Sequence, residues 1–584
     1  MKFMKFILII SKNSIFALAF LTCFFAVSCN KILNKDPETT LDSKNVYRNI
    51  FDADAAVIGV YGKFMGLAKQ YVLMNELRAD LLSVTDNADN ELREISTHST
   101  TQNNSYTSPK PFYSLINECN DVLKNFDIML KDNKFKITEY NQRYSDVACI
   151  RSWLYLQLGI HFGNIPYVTS SLDNVDAVVK DSLQFKPISF NTLLDTLIKF
   201  TSNLPYISPY SAGSSLLLTV DGSSTTNFFI EKNALLGDLN LWRGKYNAAA
   251  TYYRALMEGS GYFFASGSGA YYDNFKVSNF SSIPGYLDIS YLRYHENDLR
   301  SFIDNNTQGW RSIFANSSYA SAELMWVLPF NYNFAPSNPF IEIFSNVGGK
   351  YLVKPSQLAI DYWNSQKQTN NFPYDARGLM TYRTINGQPV IVKNLYTYLN
   401  ESSLLPTNVL QKNGNWFLLR AAAIHLRYAE AANRDGYSKL AYAFVNKGLG
   451  NTYTAPTSDV TNYQNTFDLP DPYKFDARNG TYPYFRGSWY RHEGIRGRAN
   501  LVSTPAADTA STVDMENSII NESGLELAYE GYRWPDLLRV ALRRNDPSFI
   551  ADKVYAKLVK ENNPAADKVR AKLLSGDYYL PFKW

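Results

Sequence analysis

The sequence predicts a mainly α-helical protein: a scaffold of paired helices, interrupted by a long, irregular, loop-rich insertion that carries short strands. Three observations predict it. Apolar residues recur at helical spacing in the first and last parts of the chain, and one helical hairpin is echoed far downstream. The stretch between the two copies is rich in Gly, Asn, Ser, Pro and aromatic residues. At 584 residues the chain exceeds any single small module, and its 45% apolar content is ordinary for a protein with a large core. Its aromatic content of 15%, with 42 Tyr and 35 Phe, is an excess that needs a reason. Lys and Arg number 58 against 54 Asp and Glu, and removal of a leader containing Lys2, Lys5 and Lys12 brings the net charge from +4 to near +1. That balance excludes a nucleic-acid binder, whose affinity rests on neutralising many phosphates.

Residues 1–28 read as a signal peptide, because three lysines precede an apolar run, Ser14 to Ser28, that is too short to cross a bilayer comfortably. The run ends in Ala26-Val27-Ser28-Cys29, which resembles a bacterial lipoprotein signal box, with Ala26 where such boxes usually carry Leu. The resemblance implies lipid on the Cys29 thiol. Residues 29–45 are polar and suit a flexible tether, so acyl chains would hold the protein on a membrane without spanning it. With Cys23 in the leader and Cys29 assigned to lipid, only Cys119 and Cys149 remain. They are expected as buried thiols, although an oxidising compartment would also let them pair.

Residues 46–584 read as one domain in three parts. In the first, 46–258, Phe112, Leu115, Ile116, Cys119, Val122, Leu123 and Phe126 recur at spacings of three and four. Arg151 to Gly163 is apolar nearly all round, so it should lie between other helices and stop at Gly163 and Pro166, with His161 as a core histidine. The hairpin around Leu241 to Tyr253 is echoed by Ala432 to Phe444, with Arg243/Arg434, Tyr246/Tyr437, Ala250/Ala441 and Tyr253/Phe444 superposing. A tight turn, a small residue and an aromatic three positions later is the pattern of tetratricopeptide-like helix pairs, where the small side chain lets helices approach closely. The second part, 259–415, is the insertion; 20 of the 83 residues from Tyr262 to Phe344 are aromatic. Such density argues for an ordered, loop-built binding face. Its strand-like piece Glu323 to Phe330 places Trp326 in an apolar run, hence in the core. The third part, 416–584, returns to helices.

Several segments in order resemble the SusD/RagB family of outer-membrane nutrient-uptake lipoproteins of Bacteroidota. They are Lys35 to Glu38, Ile50 to Tyr61, Asn75 to Asp80, Phe112 to Asn120, Arg151 to Pro166, Leu418 to Arg434, Glu526 to Arg539 and the closing Leu580-Pro-Phe-Lys-Trp584, where Phe582 replaces a common isoleucine. The resemblance implies a SusD-like fold on a cell-surface lipoprotein of the outer membrane. It also implies a SusC-like, TonB-dependent transporter as partner, oligosaccharides or in some branches peptides as ligand, and no chemistry of its own.

The residues themselves agree in offering no catalytic, metal or cofactor motif. The five histidines, His98, His161, His295, His425 and His492, are scattered, and no phosphate loop or nucleophile elbow is present. A glycosidase would need two carboxylates facing a bond, for which Glu526, Glu530 and Asp536 are the candidates, but beside Arg533 and Arg539 they read as an ion-pair network. For binding, sugar rings stack their C–H faces on aromatics while their hydroxyls need fixed polar partners. Trp310, with polar, turn-forming neighbours, is the leading platform candidate, followed by Tyr294 and Tyr319. Asp80, Asn87 and Arg377 are the polar candidates, Arg377 because a guanidinium presents a planar fork of donors. The reading is a glycan-capture lipoprotein. Its rivals are the same fold with a peptide ligand and a tetratricopeptide scaffold for protein partners.

Overall fold

The computed structural model describes residues 46–172, 185–220, 223–257, 304–307, 309–315, 323–369, 371–454, 465–475 and 494–582. The signal peptide, Cys29 and the tether lie outside these residues. Helix α1 (Ile50–Met65) starts where the Asn49 side chain accepts from the N–H groups of Phe51 and Asp52. In α2 (Lys110–Lys131) the seven periodic residues from Phe112 to Phe126 form the buried face. Helix α3 (Ile137–Phe162) is buried on every side from Ser145 onward and stops at Gly163, whose φ of +70° favours a residue without Cβ. A helix so enclosed must pair its charges. Arg143 meets Asp54 at 2.6 Å, Asp146 meets Lys232 at 3.2 Å, and Arg151 Nη1 donates to Asn120 Oδ1 at 2.7 Å. Cys119 and Cys149 are buried free thiols, each pushed by burial up to about 12.

From α3 the helices stack in sequence: α4 (Phe190–Ser202), α5 (Lys232–Arg243) and α6 (Tyr246–Met257), then α7 (Ala421–Arg434) and α8 (Ser438–Val445). Helix α6 packs directly on α7, so the two echoing hairpins are spatial neighbours and the intervening chain loops out between them. Close approach depends on missing side chains. A Cβ at Gly159 would collide with Phe190 of α4, and one at Gly237 would collide with the Tyr253 ring of α6. The Tyr253 hydroxyl donates to Asp238 Oδ1 at 2.6 Å, and Arg427 of α7 donates to both Asp238 oxygens at 2.9 and 2.8 Å. Three successive helices are thereby tied through one carboxylate.

Two strands carry the chain into and out of the looped-out stretch. Strand β1 (Leu324–Phe330) pairs antiparallel with β2 (Gly414–Arg420), which crosses the 415/416 boundary and runs straight into α7. The Glu323 carboxylate accepts from the Ala422 N–H at 3.2 Å, placing an anion at the α7 amino terminus. On the ribbon, Trp326 and Trp416 stack on either side of α1 Phe64, with ring centroids 5.4 and 5.0 Å away. Trp153 of α3 meets the edges of Phe64 and Trp326 at 5.1 and 5.7 Å. Four aromatics, Phe64, Trp153, Trp326 and Trp416, therefore join the helical stack to the ribbon.

The chain then forms α9 (Thr512–Glu526), α10 (Arg533–Arg544), α11 (Ser548–Lys560) and α12 (Ala566–Leu574). Between α9 and α10, Gly531 turns at φ +93° beneath the Tyr71 ring, and the buried Glu76 carboxylate accepts from Gly531 and Tyr532 N–H at 2.7 and 3.0 Å. The end returns to α3: Leu580 N–H donates to the His161 carbonyl at 2.9 Å, and Phe582 packs edge-on against Phe162 and Tyr113. The predicted architecture, a helical-repeat scaffold with an irregular insertion and few short strands, is the one observed.

Candidate functional site

Three of the residues expected to bind ligand are instead structural. Trp310 sits in the short helix Gly309–Ala315 and is fully buried, donating Nε1–H to Glu526 at 3.2 Å with the Lys393 ammonium 4.9 Å from its ring. No face is left for a sugar. The guanidinium of Arg377 is equally buried, its donors taken by Asp375, by Glu522 at 2.6 Å and by Glu526 at 2.9 Å. Asp80 receives both arms of Arg533 at 2.6 and 2.7 Å. Tyr294 and Tyr319 lie outside the described residues.

The same network disposes of the carboxylates that a glycosidase would use. Arg420 binds Glu530 through two nitrogens at 2.8 and 2.9 Å and also reaches Glu526 at 3.1 Å, while Arg498 meets Glu526 at 2.5 Å. Burial alone would raise the Glu526 pKa, but Arg498, Arg420 and Arg377 outweigh it and hold the carboxyl well below the usual range. Such a group stays ionised and cannot act as a general acid. Asp536 is paired with Arg539 at 2.8 Å, as is Glu430 at 2.6 Å. Among the described residues no group of His, Cys, Asp and Glu is arranged to hold a metal ion.

Asn87 does reach the surface, and it leads to the candidate site. Its Nδ2 donates to the Lys350 carbonyl at 3.1 Å, fixing the loop after Leu82–Val84 to the turn around Gly348. Val409 lies over Gly348, and the Tyr398 hydroxyl donates to the Val347 carbonyl at 3.2 Å, so the segment 400–413 joins the same surface. Asn413 Oδ1 then accepts from Tyr332 N–H at 3.0 Å, and Asn338 Nδ2 donates to the Asn413 carbonyl at 3.0 Å. Four loops are thus linked by asparagine side chains and backbone groups. On them stand Tyr332, 50% exposed, Phe334, 58% exposed, and Leu410, 79% exposed. Two rings and a leucine held out in water beside fixed amides make an apolar patch of the kind that marks a binding surface. The Asn331-Tyr-Asn-Phe334 run was the available signal: aromatics alternating with turn-forming asparagines cannot enter a ribbon core.

This arrangement can bind but has no reacting group. Tyr332 and Phe334 offer ring faces, and the asparagine amides and Lys350 offer polar contacts at the rim. Lys350 is bridged to Glu342 at 2.6 Å, and Glu342 to Lys69 at 3.2 Å, so the rim next to Asn87 is charged.

Residues 329–581 match the SusD family model. The fold is similar to that of a SusD superfamily protein from Bacteroides vulgatus, with TM-score 0.56 and 14% identity over 88% of this chain and 92% of that one. A laminarin-binding SusD-like protein gives TM-score 0.53 and 15% identity over 91% and 99% of the two chains. Surface glycan-binding protein A from Bacteroides uniformis gives 0.54 and 15% over 85% and 90%. No curated protein matches the sequence. The family match takes in β2, the buried arginine–carboxylate network and helices α7 to α12, on a fold similar along most of the chain to SusD superfamily structures.

Proposed function

We propose that the protein is a lipid-anchored, surface-exposed outer-membrane lipoprotein. It captures oligosaccharides on the Tyr332/Phe334 loop surface and delivers them to a SusC-like TonB-dependent transporter. The observation that carries the binding step is the pair of exposed rings on an asparagine-pinned loop, next to the exposed Leu410. Similarity to proteins named for binding laminarin and surface glycans supports sugar as the ligand. The Cys29 signal box supports the anchor, and among the described residues no helix is long and apolar enough to cross a membrane. The role needs no catalytic group.

The test is calorimetry on residues 30–584 against a panel of plant, host and microbial polysaccharides and a mixed peptide digest. Saturable binding to a glycan, weakened at least tenfold, about 1.4 kcal/mol, by Tyr332→Ala or Phe334→Ala, is the expected result. Binding of the peptide digest alone would sink the sugar reading and leave the fold intact.

A further inference from the structure

The described residues also form a cleft of about 450 Å³ between the helix Gln357–Asn364, α9 and α11, which shares no residue with the loop surface. That volume falls within the range of roughly 300–1,000 Å³ usual for small-molecule sites. Leu81, Leu358, Tyr362 and Ala556 supply apolar wall, and Asn521 and Lys553 supply polar groups. The three carboxylates at the cleft are already matched: Asp80 by Arg533 at 2.6 Å, Asp552 by Arg570 at 2.8 Å, and Asp361 by Lys560.

Lys553 is different. No carboxylate lies within 4.0 Å of its ammonium among the described residues, and its only close partner is the Phe549 ring, 5.2 Å from Nζ to centroid. Burial and the nearby Arg533 guanidinium lower its pKa against the attraction of Asp80, a carboxylate that Arg533 already holds by two hydrogen bonds. The Asn521 carboxamide and the Tyr362 hydroxyl likewise have no hydrogen-bond partner among the described residues, although both line the cleft. A cation, an amide and a phenol, all unmatched, converge on an apolar wall.

The complement of that set is a ring with an apolar C–H face, several hydroxyls and one carboxylate. We infer that the cleft binds a hexuronate residue of an acidic glycan, with its carboxylate on Lys553, hydroxyls on Asn521 and Tyr362, and its ring against Leu358 and Tyr362. A fatty acid would leave the amide and phenol unmatched, and a peptide would need backbone partners that helical walls do not offer. The inference rests on the glycan-capture reading and adds a second site and a substrate class to it.

Titration of residues 30–584 with sodium glucuronate, galacturonate and mannuronate, with glucose and sodium acetate as the neutral and bare-carboxylate controls, tests it. At least one hexuronate binds saturably, at least tenfold more tightly than glucose or acetate. Lys553→Met, which keeps the stem against Phe549, and Asn521→Ala each weaken it at least tenfold at an unchanged thermal midpoint, while Tyr332→Ala leaves it unaltered. Should Lys553→Met fail to fold, Lys553→Gln takes its place. Failure of all three hexuronates, equal binding of glucose, or indifference to both cleft substitutions overturns the inference. A neutral polysaccharide that still binds, sensitive to Tyr332→Ala, would show that the cleft assignment alone has failed; no glycan binding of any kind would remove the glycan-capture reading as well.

Discussion

Trp310 and Tyr332 show how little a side chain's own chemistry says about its use. Both are aromatic, and both sit among turn-forming residues. Trp310 is held by Glu526 and faced by Lys393, whereas Tyr332 is half exposed and bonded through its backbone N–H to Asn413. Their substitutions therefore separate cleanly. Trp310→Ala should cost about 3–5 kcal/mol of stability, because it empties a fully buried site and strips a donor from a buried carboxylate. Tyr332→Ala should move stability by no more than about 0.5 kcal/mol, as at other exposed sites, while reducing glycan affinity. Urea denaturation read alongside calorimetry checks the pair, and a Trp310→Ala protein of native stability would refute the core assignment. Asp80 and Arg377 escaped sequence reading for a related reason. The partner of Asp80, Arg533, and two partners of Arg377, Glu522 and Glu526, stand more than a hundred residues away, while the nearby Asp375 takes only part of the Arg377 fork.

At the scale of helices the sequence was far more legible. Periodic burial in α2, all-round burial in α3 and the echo between the hairpins α5–α6 and α7–α8 are local patterns that packing reinforces. The small-then-aromatic motif marked Ala250 and Tyr253, but the closer contact lies one helix earlier, where Gly237 receives the Tyr253 ring. That partnership depends on the angle between two helices, which no single-helix pattern records. It carries a prediction. Gly237→Ala gains roughly 1 kcal/mol in helix propensity, yet the new methyl collides with a ring pinned by its hydroxyl to Asp238. The net effect should be destabilisation of about 1–3 kcal/mol, as for other overpacked core sites. A thermal midpoint equal to or above that of the parent protein would mean that the hairpin yields more easily than this packing implies. The proposed loop surface is less legible: Asn87 stands on it, but Tyr332 and Phe334 carry no periodic signal, because loop positions follow from where the ribbon ends.

For the molecule as a whole, the first and last described helices share one interior, and its titratable groups set how the fold answers acid. His98, His161 and His425 are all buried with lowered pKa values; burial is the leading cause in each, and for His425 it outweighs the hydrogen bond to the Phe444 carbonyl and leaves a value of about 3. The sign follows from linkage. A histidine whose folded pKa lies below its ordinary 6.5 is protonated in the unfolded chain first, so its contribution is intact above 6.5 and is lost as pH falls toward 3. Glu76 and Glu231 act oppositely, because burial raises both to about 7 and the folded chain then binds protons that the unfolded chain does not. The total slope therefore mixes terms, whereas a single substitution isolates one. His425→Gln should be less stable than the parent at pH 7.5 by about 1–3 kcal/mol, having lost a well-packed ring. That deficit should shrink by about 1.4 kcal/mol per pH unit below 6.5, since glutamine has no proton to take up. Urea midpoints at half-unit steps from pH 7.5 to 4 give the difference curve directly. A deficit independent of pH would mean that His425 is protonated as readily in the folded chain as in the unfolded one, and that the core around α7 and α8 admits solvent.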